Sequence, residues 1–229
     1  MRVHIFVDWQ EKDELREAVT GFTISTALIS KLETLPRVVS NRLITLCIPL
    51  ANNAHLLIAS TYAQTMTYAD DEKEAFYELL NSTIHTTLKN DKLLLLGGFN
   101  VHVGINTTAW PSVLGPHGMG KENSNGFLLL ILCSEEELTI TNMLFEQPKI
   151  HKATWMHSGS KHFIITRHSD ISIILITRAM RGADSRQTAL CSIVKHLSGL
   201  QASIENRPEV KEEPQCEQSE QLAGFTRSE

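Results

Sequence analysis

Lys92-Leu-Leu-Leu-Leu-Gly-Gly-Phe-Asn-Val-His-Val-Gly104 is the stretch whose reading decides the fold. Four consecutive leucines leave no room for the polar face of an amphipathic helix, so the run reads as a short strand buried on both faces. Gly97-Gly98 breaks the run, and the polar side chains Asn100 and His102 follow where the backbone leaves the core. In open α/β sheets ligands gather outside the carboxyl ends of strands, so these are positions where chemistry is expected. An ordinary strand-to-loop exit with glycines for the turn fits the same residues.

Working outward, Leu43 to Leu50 and His55 to Tyr62 are apolar, β-rich runs joined by Ala51-Asn-Asn-Ala54, the pattern of a hairpin. Asp70-Asp-Glu-Lys73 opens a helix with acids at the positive end of its dipole. Phe76, Leu79, Leu80, Ile84 and Leu88 then give one apolar stripe at three- and four-residue steps, and Asn90-Asp91 closes the element before the leucine strand. Strand, helix and strand in succession predict α/β architecture. Residues 105–124 are loop-rich. Asn125 is placed to cap a buried helix running through Phe127-Leu-Leu-Leu-Ile-Leu132 into Glu135-Glu-Glu137, acids that the helix C-terminus disfavours. Leu138 to Phe145 reads as a further strand, as do Arg2 to Trp9 and Gly21 to Ile29.

The 229 residues suffice for one sizeable domain, and 42% hydrophobic with 21% charged residues is ordinary for a soluble globular protein. The net charge of −5 is uneven: residues 205–229 carry seven acidic and three basic side chains, leaving −1 for the rest. A near-neutral domain lacks the basic surplus of a strong nucleic-acid binder. Cys47, Cys133, Cys191 and Cys216 form no C-x-x-C pair and read as reduced thiols. No signal peptide opens the chain, and no apolar run nears the ~20 residues that span a bilayer, so an intracellular protein, nuclear or cytoplasmic, with no membrane partner is expected.

Leu94 to Gly104 resembles the G-D-F-N strand end of the endonuclease/exonuclease/phosphatase family, and within it the endonucleases of LINE-type retrotransposons of the RTE/BovB kind and host proteins derived from them. Arg42-Leu-Ile-Thr-Leu-Cys-Ile-Pro-Leu50, Ser60-Thr-Tyr-Ala63, Leu114-Gly-Pro-His-Gly118, Asn125-Gly-Phe-Leu-Leu-Leu130, Leu138-Thr-Ile-Thr-Asn142, Ala153-Thr-Trp-Met-His157 and Gly182-Ala-Asp184 follow in the family's order. The resemblance implies a DNase I-like, four-layered α/β/β/α sandwich, truncated at its N-terminus and degenerate. Residues 1–20 read as an irregular segment before the domain over 21–204, and residues 205–229, with Glu, Gln, Ser and Pro and almost no apolar content, read as a disordered acidic tail.

The family's reaction is magnesium-dependent hydrolysis of DNA. Such chemistry needs hard oxygen ligands, a group that activates water, and donors for the developing charge. The resemblance makes Asn100, Tyr62 and Asn125 remnant catalytic positions, although the Pro that follows the family's Tyr is Gln64 here. Tyr62 also suits a half-buried strand aromatic. Thr154 and Trp155 fall at the DNA-facing pair. Gly98 stands where the family has its first Asp, and Thr188 and Ala189 stand for the terminal Asp and His. The metal-ligand Glu has no counterpart, and the family's second Asp is skipped around Phe163-Ile164, so no metal ligand remains. Asp91 and Asp184 are the substitute carboxylates to consider, and His102 a lone base, although the surface reading suits His102 better. Three readings follow: an inactive endonuclease relic, a host-adopted module that binds a protein partner, or a working magnesium-dependent endonuclease acting on DNA. The missing residues favour the first two. Lost strands and exposed edges predict reduced stability.

Overall fold

The computed structural model describes residues 3–7, 20–146, 162–179 and 190–194. The leucine run is strand β6 (Lys92–Gly98), and it lies inside a mixed six-stranded sheet. The sheet order is β3 (Arg37–Ser40), β4 (Leu43–Pro49), β5 (His55–Tyr62), β6, β8 (His162–Arg167) and β7 (Leu138–Ile140). β4 and β5 form the expected antiparallel hairpin, whose turn is one 3-10 turn with Asn52 and Asn53 at positive φ, a conformation Asn tolerates. β5 and β6 pair in parallel, as strands joined through a helix do, and that helix is α2 (Asp70–His85). All other pairs in this sheet are antiparallel.

Because side chains alternate along a strand, each face of the sheet has its own core. On one face Leu43, Ala59, Leu93, Leu95, Phe163 and Ile165 pack against Phe76, Leu80 and Ile84 of α2 and Leu129, Leu130 and Cys133 of α3 (Ser124–Glu135). On the other, Leu46, Ile48, Leu56, Leu94 and Ile164 meet Ile24 of β2 (Gly21–Ser25) and Ile174 of β9 (Ile174–Ala179). Burial of leucines from β6 into both faces, at ~1.5–3 kcal/mol each, is what makes an unbroken apolar run a central strand. β2 pairs with β1 (Val3–Val7) and β9 with β10 (Leu190–Val194), each as a two-stranded antiparallel ribbon.

Gly97 is fixed by this geometry. It has φ +147°, and a Cβ there would lie 1.9 Å from the Thr61 carbonyl oxygen of the neighbouring strand.

Five expectations change. The apolar stripe of α2 stops at Ile84, because the helix ends at His85 and Leu88 beyond it is 69% exposed. The run from Gly21 to Ile29 is a strand only to Ser25, then one helical turn, α1 (Thr26–Ile29), whose Leu28 N–H donates to the Ser25 hydroxyl at 3.3 Å. The strand beginning at Leu138 ends at Ile140, because Thr141 to Met143 turn as 3-10 helix and the Thr141 hydroxyl donates to the Ile164 carbonyl at 2.9 Å. The cap of α3 is Asn123, not Asn125: its Oδ1 accepts from the Gly126 N–H at 2.8 Å and from the His102 N–H at 3.0 Å. Finally, α3 is not buried all round, since Phe127 is 47% exposed and Leu128 and Ile131 are only half-buried.

Cys47 and Cys133 are free thiols, and burial pushes both above the usual thiol range. No helix among the described residues is long and apolar enough to cross a membrane.

Candidate active site

The carboxyl ends of the parallel strands β5 and β6 lie side by side, with Tyr62 level with Gly98 and Gly98 level with His162 at the start of β8. These three positions share the face of the sheet that carries Leu94 and Ile164, the face turned toward the β2 and β9 ribbons. Gly98 sits in a slot between two side chains. A Cβ built on it would stand 3.3 Å from Cδ2 of Tyr62 and 3.5 Å from Nε2 of His162. Unlike Gly97, its backbone is not left-handed, so a side chain would fit with a small shift of the tyrosine ring.

Around this slot, amide side chains are turned onto the backbone. Asn100, 6% exposed and at φ +52°, donates its Nδ2 to the Ala63 carbonyl at 2.6 Å. Asn125, 3% exposed, donates its Nδ2 to the Gln64 carbonyl at 3.2 Å. The two asparagines thus pin consecutive residues of the chain leaving β5, whose Ala63 N–H donates to the Gly98 carbonyl. The Oδ1 of Asn125 and the Oε1 of Gln64 are buried acceptors without a donor among the described residues.

Arg42 is the residue that sequence reasoning missed. It lies beside the end of β5, almost fully buried, with Nη1 3.4 Å from the Tyr62 carbonyl, Nη2 3.0 Å from the Tyr68 hydroxyl, and its guanidinium 5.0 Å from the Tyr68 ring centroid. Its one signal in the sequence was its place at the head of a resembling segment. His162, at the start of β8, faces Tyr62 across Gly98. Burial lowers its pKa and so favours the uncharged imidazole. The start of β8 is clamped by Asn142, which donates to the His162 carbonyl at 3.1 Å and accepts from the Ile164 N–H at 2.8 Å.

His102 belongs to the scaffold. Its carbonyl accepts from the Asn123 N–H at 3.0 Å and closes against Gly126, where a Cβ would meet that oxygen at 1.9 Å. Asp91 lies just before the amino end of β6, about 23 Å from Gly98 at the ~3.3 Å rise per residue of a strand, too far to act beside it. Thr154, Trp155, Asp184, Thr188 and Ala189 lie outside the described residues.

Magnesium fits this site poorly. It demands octahedral oxygen ligation anchored by one or two carboxylates. Gly98 offers no side chain, and the amide oxygens of Asn100 and Asn125 are neutral ligands that cannot stand in for an anchoring carboxylate. Among the described residues no group of three or more His, Cys, Asp or Glu side chains is placed to hold a metal ion.

Known structures share this arrangement of sheet and helices. The endonuclease domain of TRAS1, a telomere-specific non-LTR retrotransposon, superposes with a TM-score of 0.57 at 14% identity, over 84% of this chain and 78% of that one. The catalytic domain of Xenopus laevis APE2 gives 0.50 at 15% identity, over 68% of this chain and 56% of that one. The fold is DNase I-like.

Craniofacial development protein 2 of Bos taurus is 31% identical over 135 residues, 57% of this chain and 22% of that protein. Its namesake in Tragulus javanicus is 30% identical over the same length, 57% of this chain and 23% of that protein. The chain therefore spans under a quarter of the length of these relatives. No family model matches it. At the β5–β6 carboxyl ends, Asn100 and Asn125 are bonded to backbone carbonyls and Arg42 is turned onto Tyr62 and Tyr68.

Proposed function

We propose that the chain is a DNase I-like domain of retrotransposon-endonuclease descent that no longer hydrolyses DNA and persists as a scaffold for binding. The observation that carries this reading is Gly98, in the slot between Tyr62 and His162 where the resembling family has its Asp. Glycine can neither take a proton from water nor ligate a metal through a side chain. Loss of one general base or one charge-stabilising donor commonly lowers a rate by ~10²–10⁴. When residues act as a unit, removing one forfeits most of what the set supplies. The near-neutral body of the chain also gives little electrostatic pull toward a phosphate backbone.

The reading is tested at the metal step by titrating Mn²⁺ into isotope-labelled protein and following amide broadening. No selective broadening at Tyr62, Gly98, Asn100 or His162 is expected at millimolar metal. Saturable broadening centred on those amides would contradict the reading.

A further inference from the structure

Helices α2 and α3 cover the sheet with their inner faces and leave a groove of about 230 Å³ between their outer ones. It is lined at two-turn repeats on both walls: Glu74, Tyr77, Glu78 and Asn81 on α2, and Leu128, Ile131, Leu132 and Glu135 on α3. The floor is apolar, formed by Tyr77, Leu128 and Ile131. A helix apolar all round is normally buried all round, yet α3 leaves this face half open.

The rim is acidic in a way that the helices themselves do not favour. Glu74 and Glu78 are like charges one turn apart on α2, and Glu135 sits at the negative end of the α3 dipole. None of the three has an ion-pair partner among the described residues, whereas the adjacent Glu136 has His85 at 3.2 Å. Asn81 adds an Oδ1 that is buried and without a donor. The groove therefore offers an apolar floor, three unpaired carboxylates and an open acceptor.

We infer that this groove docks a basic amphipathic helix of a partner protein, apolar residues at i, i+3, i+4 and i+7 seated on Leu128 and Ile131 and lysines or arginines facing Glu74, Glu78 and Glu135. Seven residues of helix span ~10.5 Å, so about two turns of the partner match the two turns of each wall. Charge selects against the chain's own C-terminal segment as occupant, since residues 205–229 carry a net charge of −4. The inference extends the binding-scaffold reading but does not depend on whether Gly98 has silenced the nuclease.

The probe is a fluorescent leucine/lysine peptide of about 15 residues with that spacing, against a scrambled peptide of equal charge. Anisotropy should show micromolar binding to the whole chain, weakened at least tenfold by Glu74→Lys with Glu78→Lys and separately by Ile131→Ser, with unchanged melting of each variant. Binding should also weaken as salt rises. Equal affinity for the scrambled peptide, or affinity indifferent to both sets of substitutions, would overturn the inference. So would a concentration-dependent dimer abolished by Ile131→Ser, which would make a second copy the occupant. Protection of Ile131→Cys from maleimide in the isolated monomer would do the same, because the chain would then cover its own groove.

Discussion

The two ends of β6 are built from different chemistry. At its amino end the charges are spent on holding elements together: Lys92 Nζ lies 2.6 Å from Oδ1 of Asp170, which is 3% exposed. Nearby, Asp91 Oδ1 accepts the His55 N–H at 2.7 Å, and the His55 ring lies 3.6 Å from Asp91 and 3.5 Å from Glu33. Arg167, at the end of β8, donates to the carbonyls of Thr87, Leu88 and Asp91, closing the exit of α2. At the carboxyl end, Tyr62, Gly98, Asn100 and His162 include no carboxylate. The fold keeps its paired carboxylates where they stabilise structure; at the other end its one described charge is the Arg42 guanidinium, turned onto the Tyr62 carbonyl and the Tyr68 hydroxyl. A scaffold and a site are thus separable on one strand.

The sharpest way to break the comparison is at the strand itself. Gly97→Ala places a Cβ against the Thr61 carbonyl in a left-handed conformation, so loss of cooperative folding, or destabilisation above ~4 kcal/mol in urea, is expected. Ordinary stability of that variant would mean that β5 and β6 are not paired as described. Next comes the charged end. Lys92→Met leaves the Asp170 carboxylate buried and unpaired and should cost on the order of 3 kcal/mol. Asp170→Asn should cost less than half of that, because Lys92 is 37% exposed and can hydrate. Equal losses would remove the asymmetry on which the contrast rests.

Smaller effects separate the two asparagines near α3. Asn123→Ala removes the cap and leaves the His102 N–H without its acceptor, for ~1–2 kcal/mol. If Asn125 were the cap, Asn123→Ala would be nearly neutral. At the site end, His162 has a folded-state pKa below its unfolded value, so the unfolded chain binds the extra proton first. The contribution is fully present above the unfolded pKa of ~6.5 and is lost as pH falls below it. Melts from pH 7.5 to 5.5 should decline in wild type and decline less in His162→Gln. A slope of equal size in both would remove His162 from the account. Least of all is Gly98→Asp. Its slot admits a Cβ, so a change of no more than ~1 kcal/mol is expected in chemical denaturation. A collapse of stability would mean the slot is closed to side chains.

Much of the architecture was legible because its signals are local. The leucine run, the Asn-Asn hairpin and the α2 stripe each declare themselves within a dozen residues. The clamps were not legible, since Lys92 and Asp170 are 78 positions apart and no spacing rule joins them. Arg42 stood out only as the head of a resembling segment, and only the assembled sheet shows it buried against Tyr62 and Tyr68. The cap was misplaced by two residues because Asn123 and Asn125 are chemically equal; docking of Asn123 on the His102 backbone decides between them. The site was legible chiefly by likeness to a family. The residues show Gly98 directly, but only its neighbours Tyr62 and His162 show that the glycine leaves a slot rather than a tight turn.

Plasmid nicking tests the separation of scaffold from chemistry most directly. Purified, cooperatively folded protein would be incubated with supercoiled DNA and Mg²⁺ or Mn²⁺, beside an EDTA control, the Asn100→Ala variant and Gly98→Asp. The account predicts no metal-dependent nicking by wild type, and none restored by Gly98→Asp alone. Nicking by wild type that requires metal and disappears in Asn100→Ala would contradict it, and would place a working site at the carboxyl end of β6.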